Sequence, residues 1–241
     1  MSLAAIQDVA FPASTGRPMR AALALGNGGA RRPGVIVIHE IFGLNDDIRR
    51  ITARVADLGY VALAPDLFDT GSARVLCVLR AFLALRRREG PPFADLEAAR
   101  AWLARRPEVD AARTGVVGFC LGGGFALLYA VRAPLAAAGV FYGEVPKSAE
   151  ELRGVCPVVA GYGGRDRLFA SQGRRLEELL AELRVPHDVH VYSGAGHSYM
   201  SRHTGAMATL AAWGPMAVGF NADAEADSWR RIEAFFRTHL G

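Results

Sequence analysis

The sequence predicts an α/β fold with a mostly parallel central sheet and helices on both faces. Short apolar, β-branched runs alternate along the chain with segments of helical periodicity, and this alternation is typical of βαβ units. Several strand-like runs are apolar throughout, as expected for strands that are buried on both faces. The 241 residues, of which 51% are hydrophobic, suffice for a large core, so we expect residues 1–241 to form a single domain.

The first half of the chain alternates in this way after a short hairpin. Residues 1–33 are expected to contain that hairpin, with strands at 9–13 and 19–25 and a turn at Gly16. The patterns that follow predict buried strands at 34–38, 60–64 and 114–117 and helices at 46–58, 93–105 and 123–130. Residues 66–92 are expected to be helical only in their middle.

The second half repeats the alternation. It predicts strands at 137–142, 157–162 and 189–192 and helices at 171–183 and 228–240. Right-handed crossovers between these parallel strands are expected. Residues 198–227, which are rich in Gly, Ala and Met, match neither pattern. This segment and residues 66–92 follow strand ends, where such folds carry lids and binding pockets.

Composition and charge argue against several classes of protein. The net charge of +4 is modest, and the arginines concentrated at positions 80 and 86–88 are expected to form a solvated helix face rather than a nucleic-acid site. The longest uncharged stretch, 204–222, is broken by Gly and Pro, so no membrane partner is expected. Three cysteines and an N-terminus without a secretory signal suit the cytoplasm. We expect a monomer, and neither metal-ligand spacing nor a phosphate loop indicates a metal or cofactor.

The most informative stretch is Gly118-Phe119-Cys120-Leu121-Gly122. A strand, the pattern G-x-C-x-G and a helix form the arrangement of a nucleophile elbow, with sulfur in place of oxygen. The glycines allow a tight turn, and the start of a helix beneath the sulfur stabilises negative charge on it. The alternative is an apolar cysteine in an ordinary glycine-rich turn.

Four side chains that can carry chemistry follow strand ends: Glu40, Cys120, Asp166 and His197. The carboxyl ends of parallel strands meet at one edge of a sheet, so these side chains are expected to converge. The order nucleophile, acid, histidine is also that of the α/β-hydrolase fold, which we therefore predict. His197 would take the thiol proton, and Asp166 would fix its tautomer. The N–H groups of Leu121 and Ile41 are the expected oxyanion donors.

Each of these residues also has a simpler interpretation. Asp166 can be an Asx-turn or helix-cap residue, and Glu40 can cap a helix or order a loop. The other histidines, including His39 and His203, are expected to be structural or solvated. Cys77 and Cys156 are expected to be buried.

The motifs together resemble the dienelactone hydrolase family. The resemblance extends from about residue 34 to 240 and rests on the segments 39–45, 64–68, 95–99, 118–123, 163–166 and 194–199. It implies a triad of Cys120, His197 and Asp166. It further implies that the resting thiol is neutral and contacts Glu40, which takes the thiol proton when substrate binds. Partial desolvation of Glu40 suggests a raised pKa, which suits that exchange.

The resemblance also implies the opening of an enol-lactone through a thioester acyl-enzyme. Family members hold the substrate carboxylate with arginines, and the candidates here are Arg202, Arg80 and Arg74, with Tyr199 and Phe42 completing the expected substrate-binding set. Arg202 stands one position later than the family pattern predicts. A bulkier or uncharged lactone or ester is therefore an alternative substrate. Two further alternatives are a broad carboxylesterase or acyl transferase and a catalytically silent scaffold.

Overall fold

The alternating pattern folds into a mixed sheet in this computed structural model, which describes residues 4–26, 31–70, 72–203 and 212–241. Within those ranges the sheet has eight strands in the order β1-β2-β4-β3-β5-β6-β7-β8. The strands are β1 (Ile6–Pro12), β2 (Pro18–Leu25), β3 (Arg32–Ile38), β4 (Val61–Pro65), β5 (Val109–Phe119), β6 (Ala137–Phe141), β7 (Val158–Gly163) and β8 (His187–Tyr192). β1 and β2 pair antiparallel, β2 pairs antiparallel with β4, and the remaining pairs are parallel.

The helices cover both faces of the sheet. They are α1 (Asp46–Asp57), α2 (Arg74–Arg87), α3 (Pro91–Ala104), α4 (Leu121–Ala130), α5 (Ala170–Glu182) and α6 (Ala222–His239), with a 3₁₀ turn at Ala149–Leu152. Alternate residues of β3 serve the two core layers: Ile36 and Ile38 pack on the face of α3, α4 and α5, whereas Val35 and Val37 pack on that of α1 and α6. The predicted α/β-hydrolase architecture is therefore confirmed.

Most predicted elements are found, with shifted ends. The clearest difference is α6, which begins at Ala222 rather than near 228 because Asn221 caps it, accepting a hydrogen bond from the Ala224 N–H. β5 begins at Val109 because Arg32 and Pro33 of β3 extend its pairing. Predictions that fall on residues 1–3, 27–30, 71 or 204–211 lie outside the described residues. In the described ranges, no helix combines the length and apolarity that a membrane crossing requires.

Candidate active site

The turn between β5 and α4 forces Cys120 into a strained backbone conformation. Its φ of 55° and ψ of −119° lie in a region that L-residues rarely adopt. The turn closes tightly, since the Cys120 N–H donates to the Phe141 carbonyl at 3.0 Å and the Gly123 N–H to the Cys120 carbonyl at 2.9 Å. A Cβ at Gly122 would collide with the Ile38 carbonyl, so only glycine fits there. The predicted elbow is present, with the sulfur at its apex.

Parallel pairing brings the four predicted side chains to one edge of the sheet. β3 lies beside β5, and β7 beside β8, so the segments after these strands share that edge. A cavity of about 720 Å³ opens there, larger than two others of about 470 and 450 Å³. Of the predicted site residues, those that line it are Glu40, Ile41, Phe42, Arg74, Cys120, Leu121, His197 and Arg202.

His197 and Asp166 form a buried pair. The Nδ1 atom of His197 donates to Oδ2 of Asp166 at 2.6 Å, and the two side chains are 3% and 0% exposed. The other carboxylate oxygen accepts from the N–H groups of Leu168 and Phe169 at 3.0 and 3.1 Å. With the hydrogen fixed on Nδ1, Nε2 is the basic nitrogen. Asp166 is therefore both an Asx-turn residue, through one carboxylate oxygen, and the partner of His197, through the other.

Aromatic rings fix the plane of the His197 imidazole. The rings of Tyr142 and Phe169 lie against it at centroid distances of 5.1 and 4.9 Å. The backbone is fixed as well, because the His197 N–H donates to the Met216 carbonyl at 2.8 Å. The imidazole is therefore oriented by its carboxylate partner and by packing together.

The Cys120 thiol is in its neutral form at rest. Burial raises its pKa, and the nearby carboxylates of Glu40 and Asp166 raise it further, whereas the Leu121 N–H opposes the rise. Among the residues that the structure describes, the sulfur makes no hydrogen bond with either Glu40 or His197. The expected contact between the thiol and Glu40 is therefore not formed in this conformation.

Glu40 is instead held by two residues that follow His197 in the chain. Its Oε1 accepts from the Ser201 hydroxyl at 2.9 Å, and its Oε2 lies 2.7 Å from Nε2 of His203. The second contact is an ion pair whose N–H is not aligned with the oxygen. Ser201 in turn contacts the Tyr142 hydroxyl at 3.2 Å, so the network is anchored in the core.

This pairing reverses the expected titration of Glu40. Burial tends to raise the pKa of Glu40, but His203, His197 and Ser201 together outweigh it, and the net pKa lies below the ordinary value of 4.5. Burial tends to lower the pKa of His203, but Glu40 outweighs it, and the net pKa lies above 6.5. The expected raised pKa of Glu40 is wrong, whereas His203 is structural rather than solvated, as the ion-pair partner of Glu40. The sequence carried no signal for this pairing, because residues 198–203 follow neither helical nor strand periodicity.

Two predicted substrate-binding residues lie elsewhere. Tyr199 is fully buried, with its hydroxyl 2.8 Å from that of Ser228, so it belongs to the core. Arg80 donates to the Ser72 hydroxyl at 3.1 Å and lines the separate cavity of about 470 Å³. Both predictions are wrong. Tyr199 belongs to the motif segment 194–199, and Arg80 to the arginine-bearing segment that the resemblance implied, but the direction of each side chain is set by the turn of the backbone.

The other two arginines reach the cavity by different routes. Arg74 donates from α2 to the Phe42 carbonyl at 2.5 Å. The Arg202 guanidinium lies 3.7 Å from Glu225 and over the Phe220 ring at 5.0 Å. Both guanidinium groups are therefore partly engaged by other groups of the protein.

Among the described residues, the predicted oxyanion donors have no competing oxygen acceptor, although the Leu121 N–H interacts with the Cys120 sulfur. In the ranges that the structure describes, the N–H groups of Ile41 and Leu121 donate to no backbone or side-chain oxygen.

Of the remaining candidates, Cys77 is buried as predicted, Cys156 is half-buried, and His39 is a buried structural residue that accepts from the Leu67 N–H at 3.1 Å. No group of three His, Cys, Asp or Glu side chains suited to a metal ion occurs among the described residues.

A sequence profile of the dienelactone hydrolase family matches residues 19–240. The chain belongs to the dienelactone hydrolase family. It is therefore a hydrolase of the carboxylic ester type with the α/β-hydrolase fold.

Relatives in this family are similar over most of their length. A protein of Synechocystis sp. with the provisional name carboxymethylenebutenolidase is 30% identical, over 86% of this chain and 87% of the relative. One of Methylorubrum extorquens with the same provisional name is 28% identical, over 97% of this chain and 79% of the relative.

Solved structures of dienelactone hydrolase type are similar as well. A dienelactone hydrolase-like promiscuous phosphotriesterase from metagenomic libraries is 26% identical with a TM-score of 0.78 and covers 100% of both chains. The dienelactone hydrolase of Anabaena variabilis has a TM-score of 0.70 at 17% identity, again over 100% of both chains, and supports the fold alone.

Proposed function

We propose that this protein hydrolyses an enol-lactone or a related ester through a Cys120–His197–Asp166 triad and a thioester acyl-enzyme. The observation that carries the proposal is the buried His197–Asp166 pair, whose histidine lines the cavity that also holds the strained Cys120. A relative named carboxymethylenebutenolidase supports the lactone as substrate class. The free state of Cys77, Cys120 and Cys156 suits the cytoplasm, and we expect a monomer there.

Thiol activation is assigned to His197. Its Nε2 carries no proton in the tautomer that Asp166 selects, so it can accept the proton of the Cys120 thiol. Asp166 then stabilises the imidazolium that forms. Glu40 is the second candidate acceptor, but its carboxylate must first leave Ser201 and His203. Until then burial of the thiol, together with the negative charge of Glu40, raises the thiol pKa and keeps the nucleophile protonated.

Acyl transfer follows from this arrangement. The thiolate attacks the lactone carbonyl, and the N–H groups of Leu121 and Ile41 hold the oxyanion, each worth roughly 3–4 kcal/mol of barrier. The ring C–O bond breaks, and the leaving enolate oxygen takes the proton from the His197 imidazolium. His197 then removes a proton from water, whose oxygen attacks the thioester. The product acid departs, and the thiol recovers its proton.

The cavity supports a small substrate with an apolar body. Its wall is largely apolar, formed by Ile41, Phe42, Phe82, Leu85, Phe169, Met216 and Val218. Arg74 and Arg202 supply positive charge at the same wall for a substrate carboxylate. The alternative is that the same catalytic residues act as a broad-specificity carboxylesterase.

Hydrolysis assays on purified protein test the proposal. We expect turnover of dienelactone and of p-nitrophenyl acetate, complete loss in Cys120→Ala, and full activity in the matched control Cys156→Ala, whose thiol lies outside the cavity. Equal turnover by the wild type and Cys120→Ala would reject the nucleophile. A panel of acidic and neutral lactones separates a dienelactone hydrolase from a broad esterase.

A further inference from the structure

Helix α2 exposes an apolar face that no described residue covers. Its small side chains, among them Cys77, Ala81 and Ala84, pack on the protein body. The opposite side presents large apolar side chains that are 43–78% exposed: Val75, Leu76, Leu79, Phe82 and Leu83. At 3.6 residues per turn these positions form one stripe, about 120° wide. An exposed apolar stripe of this size marks an interaction surface.

The stripe adjoins the mouth of the catalytic cavity. Phe82, within the stripe, and Arg74, at the start of α2, both line that cavity. Other exposed apolar side chains come from segments at the same rim, since Phe42 lines the cavity and Phe220 lies two residues beyond Val218, which also lines it. Phe42 and Phe220 therefore add to the exposed apolar surface near the mouth of the cavity.

The charge of α2 restricts what the stripe can contact. The helix carries Arg74, Arg80, Arg86 and Arg87 and contains no acidic residue. A twofold contact between two copies would bring the same arginines together, which is unfavourable. A basic helix with an exposed apolar face instead fits the interface of an anionic bilayer, where the apolar side chains enter the headgroup region and the exposed Arg86 and Arg87 meet lipid phosphates.

We propose that α2 docks the protein onto an anionic lipid surface, with the mouth of the cavity facing the lipid. Docking by one helix is peripheral and reversible, since α2 has 14 residues and lies along the surface. An amphiphilic ester dissolved in the lipid would reach the cavity without crossing water. The proposal replaces the earlier expectation of a merely solvated helix face and of no membrane partner.

Vesicle sedimentation tests the docking without using the hydrolytic activity. We expect wild-type protein, and Cys120→Ala equally, to sediment with vesicles that contain phosphatidylglycerol and much less with pure phosphatidylcholine. Leu79→Asp, which changes the stripe but not the cavity lining, should weaken binding roughly tenfold or more. Val191→Asp is the matched control, because Val191 is 40% exposed on β8, outside the stripe. Arg86→Gln with Arg87→Gln should weaken binding to anionic vesicles, by roughly fivefold per arginine.

Three outcomes would overturn the proposal. The first is wild-type protein that stays in the supernatant with phosphatidylglycerol vesicles. The second is a loss of vesicle binding in Val191→Asp that is as large as the loss in Leu79→Asp. The third is a dimer in solution that Leu79→Asp converts to monomer without any vesicle binding, which would make the stripe an interface between two copies. Circular dichroism confirms that each variant is folded. Because sedimentation needs no turnover, failure of docking leaves the proposed hydrolysis untouched.

Discussion

Nε2 of His203 lies 2.7 Å from Oε2 of Glu40, in a buried network that Ser201 and Tyr142 complete. The counter-ion of this carboxylate is therefore itself titratable near neutral pH. Since the Glu40 carboxylate raises the pKa of the Cys120 thiol, the charge of His203 bears on the nucleophile as well as on stability.

The pair predicts a stability difference that depends on pH. The pKa of His203 is raised, so its contribution is present below 6.5 and is lost as pH rises through the folded-state pKa. The pKa of Glu40 is lowered, so its contribution is present above 4.5 and is lost as pH falls through the folded-state pKa. His203→Ala should therefore destabilise most between those values, by roughly 1–3 kcal/mol in urea unfolding at about pH 5.5.

A double-mutant cycle provides the control for this prediction. In a Glu40→Gln background the carboxylate is absent, so His203→Ala should cost much less. The cost should also shrink in the wild-type background at a pH above the raised folded-state pKa of His203, because the imidazole is then neutral. An equal cost at both pH values and in both backgrounds would show that His203 acts only through packing.

Asp166→Asn tests the orientation of the imidazole. The amide can still accept from the Leu168 and Phe169 N–H groups, so the turn should survive. Its NH₂ group would face Nδ1 of His197 and select the wrong tautomer, so kcat should fall roughly 10⁴-fold with little change in unfolding midpoint. A fall below tenfold in a folded variant would contradict the assigned partner of His197.

Arg74 and Arg202 should bind a negatively charged substrate, whereas Arg80 should not. Arg74→Gln and Arg202→Gln should each raise KM for a lactone carboxylate by roughly tenfold and leave KM for a neutral ester nearly unchanged. Arg80→Gln is the matched control, because Arg80 lines a different cavity. The same KM increase in Arg80→Gln would contradict the separation of the two cavities.

The elbow should not tolerate a side chain at Gly122. A Cβ there meets the Ile38 carbonyl, which belongs to a central strand and cannot move freely. We expect Gly122→Ala to lose about 3 kcal/mol of unfolding free energy or to fold poorly. At Gly194 an added Cβ has open space, so Gly194→Ala is the comparison and should be nearly neutral. Equal stability of the two variants would reject the tight turn.

The sequence was sufficient for the features that rest on local pattern. The apolar runs located β3 to β8, and the glycines around Cys120 located the elbow, because the turn itself requires them. The pairing of His197 with Asp166 could be anticipated, since both follow strand ends on one edge of the sheet.

Features that depend on how one segment turns back on another could not be predicted from local sequence pattern. The path of residues 198–203 buries Tyr199 against Ser228 and turns His203 toward Glu40. No periodicity marks that path, so neither the burial of Tyr199 nor the pairing of His203 with Glu40 could be predicted. The start of α6 at Ala222 was missed because residues 222–227 are too short a stretch to display the helical period.

Trapping of the acyl-enzyme tests the central claim most directly. Wild-type protein mixed with p-nitrophenyl acetate, quenched in acid within the first turnover and digested should yield a peptide with Cys120 that carries one acetyl group. Cys156→Ala should give the same acetylated peptide, and Cys120→Ala should give none while losing turnover. Acetyl found on another residue, or undiminished turnover by Cys120→Ala, would contradict the account.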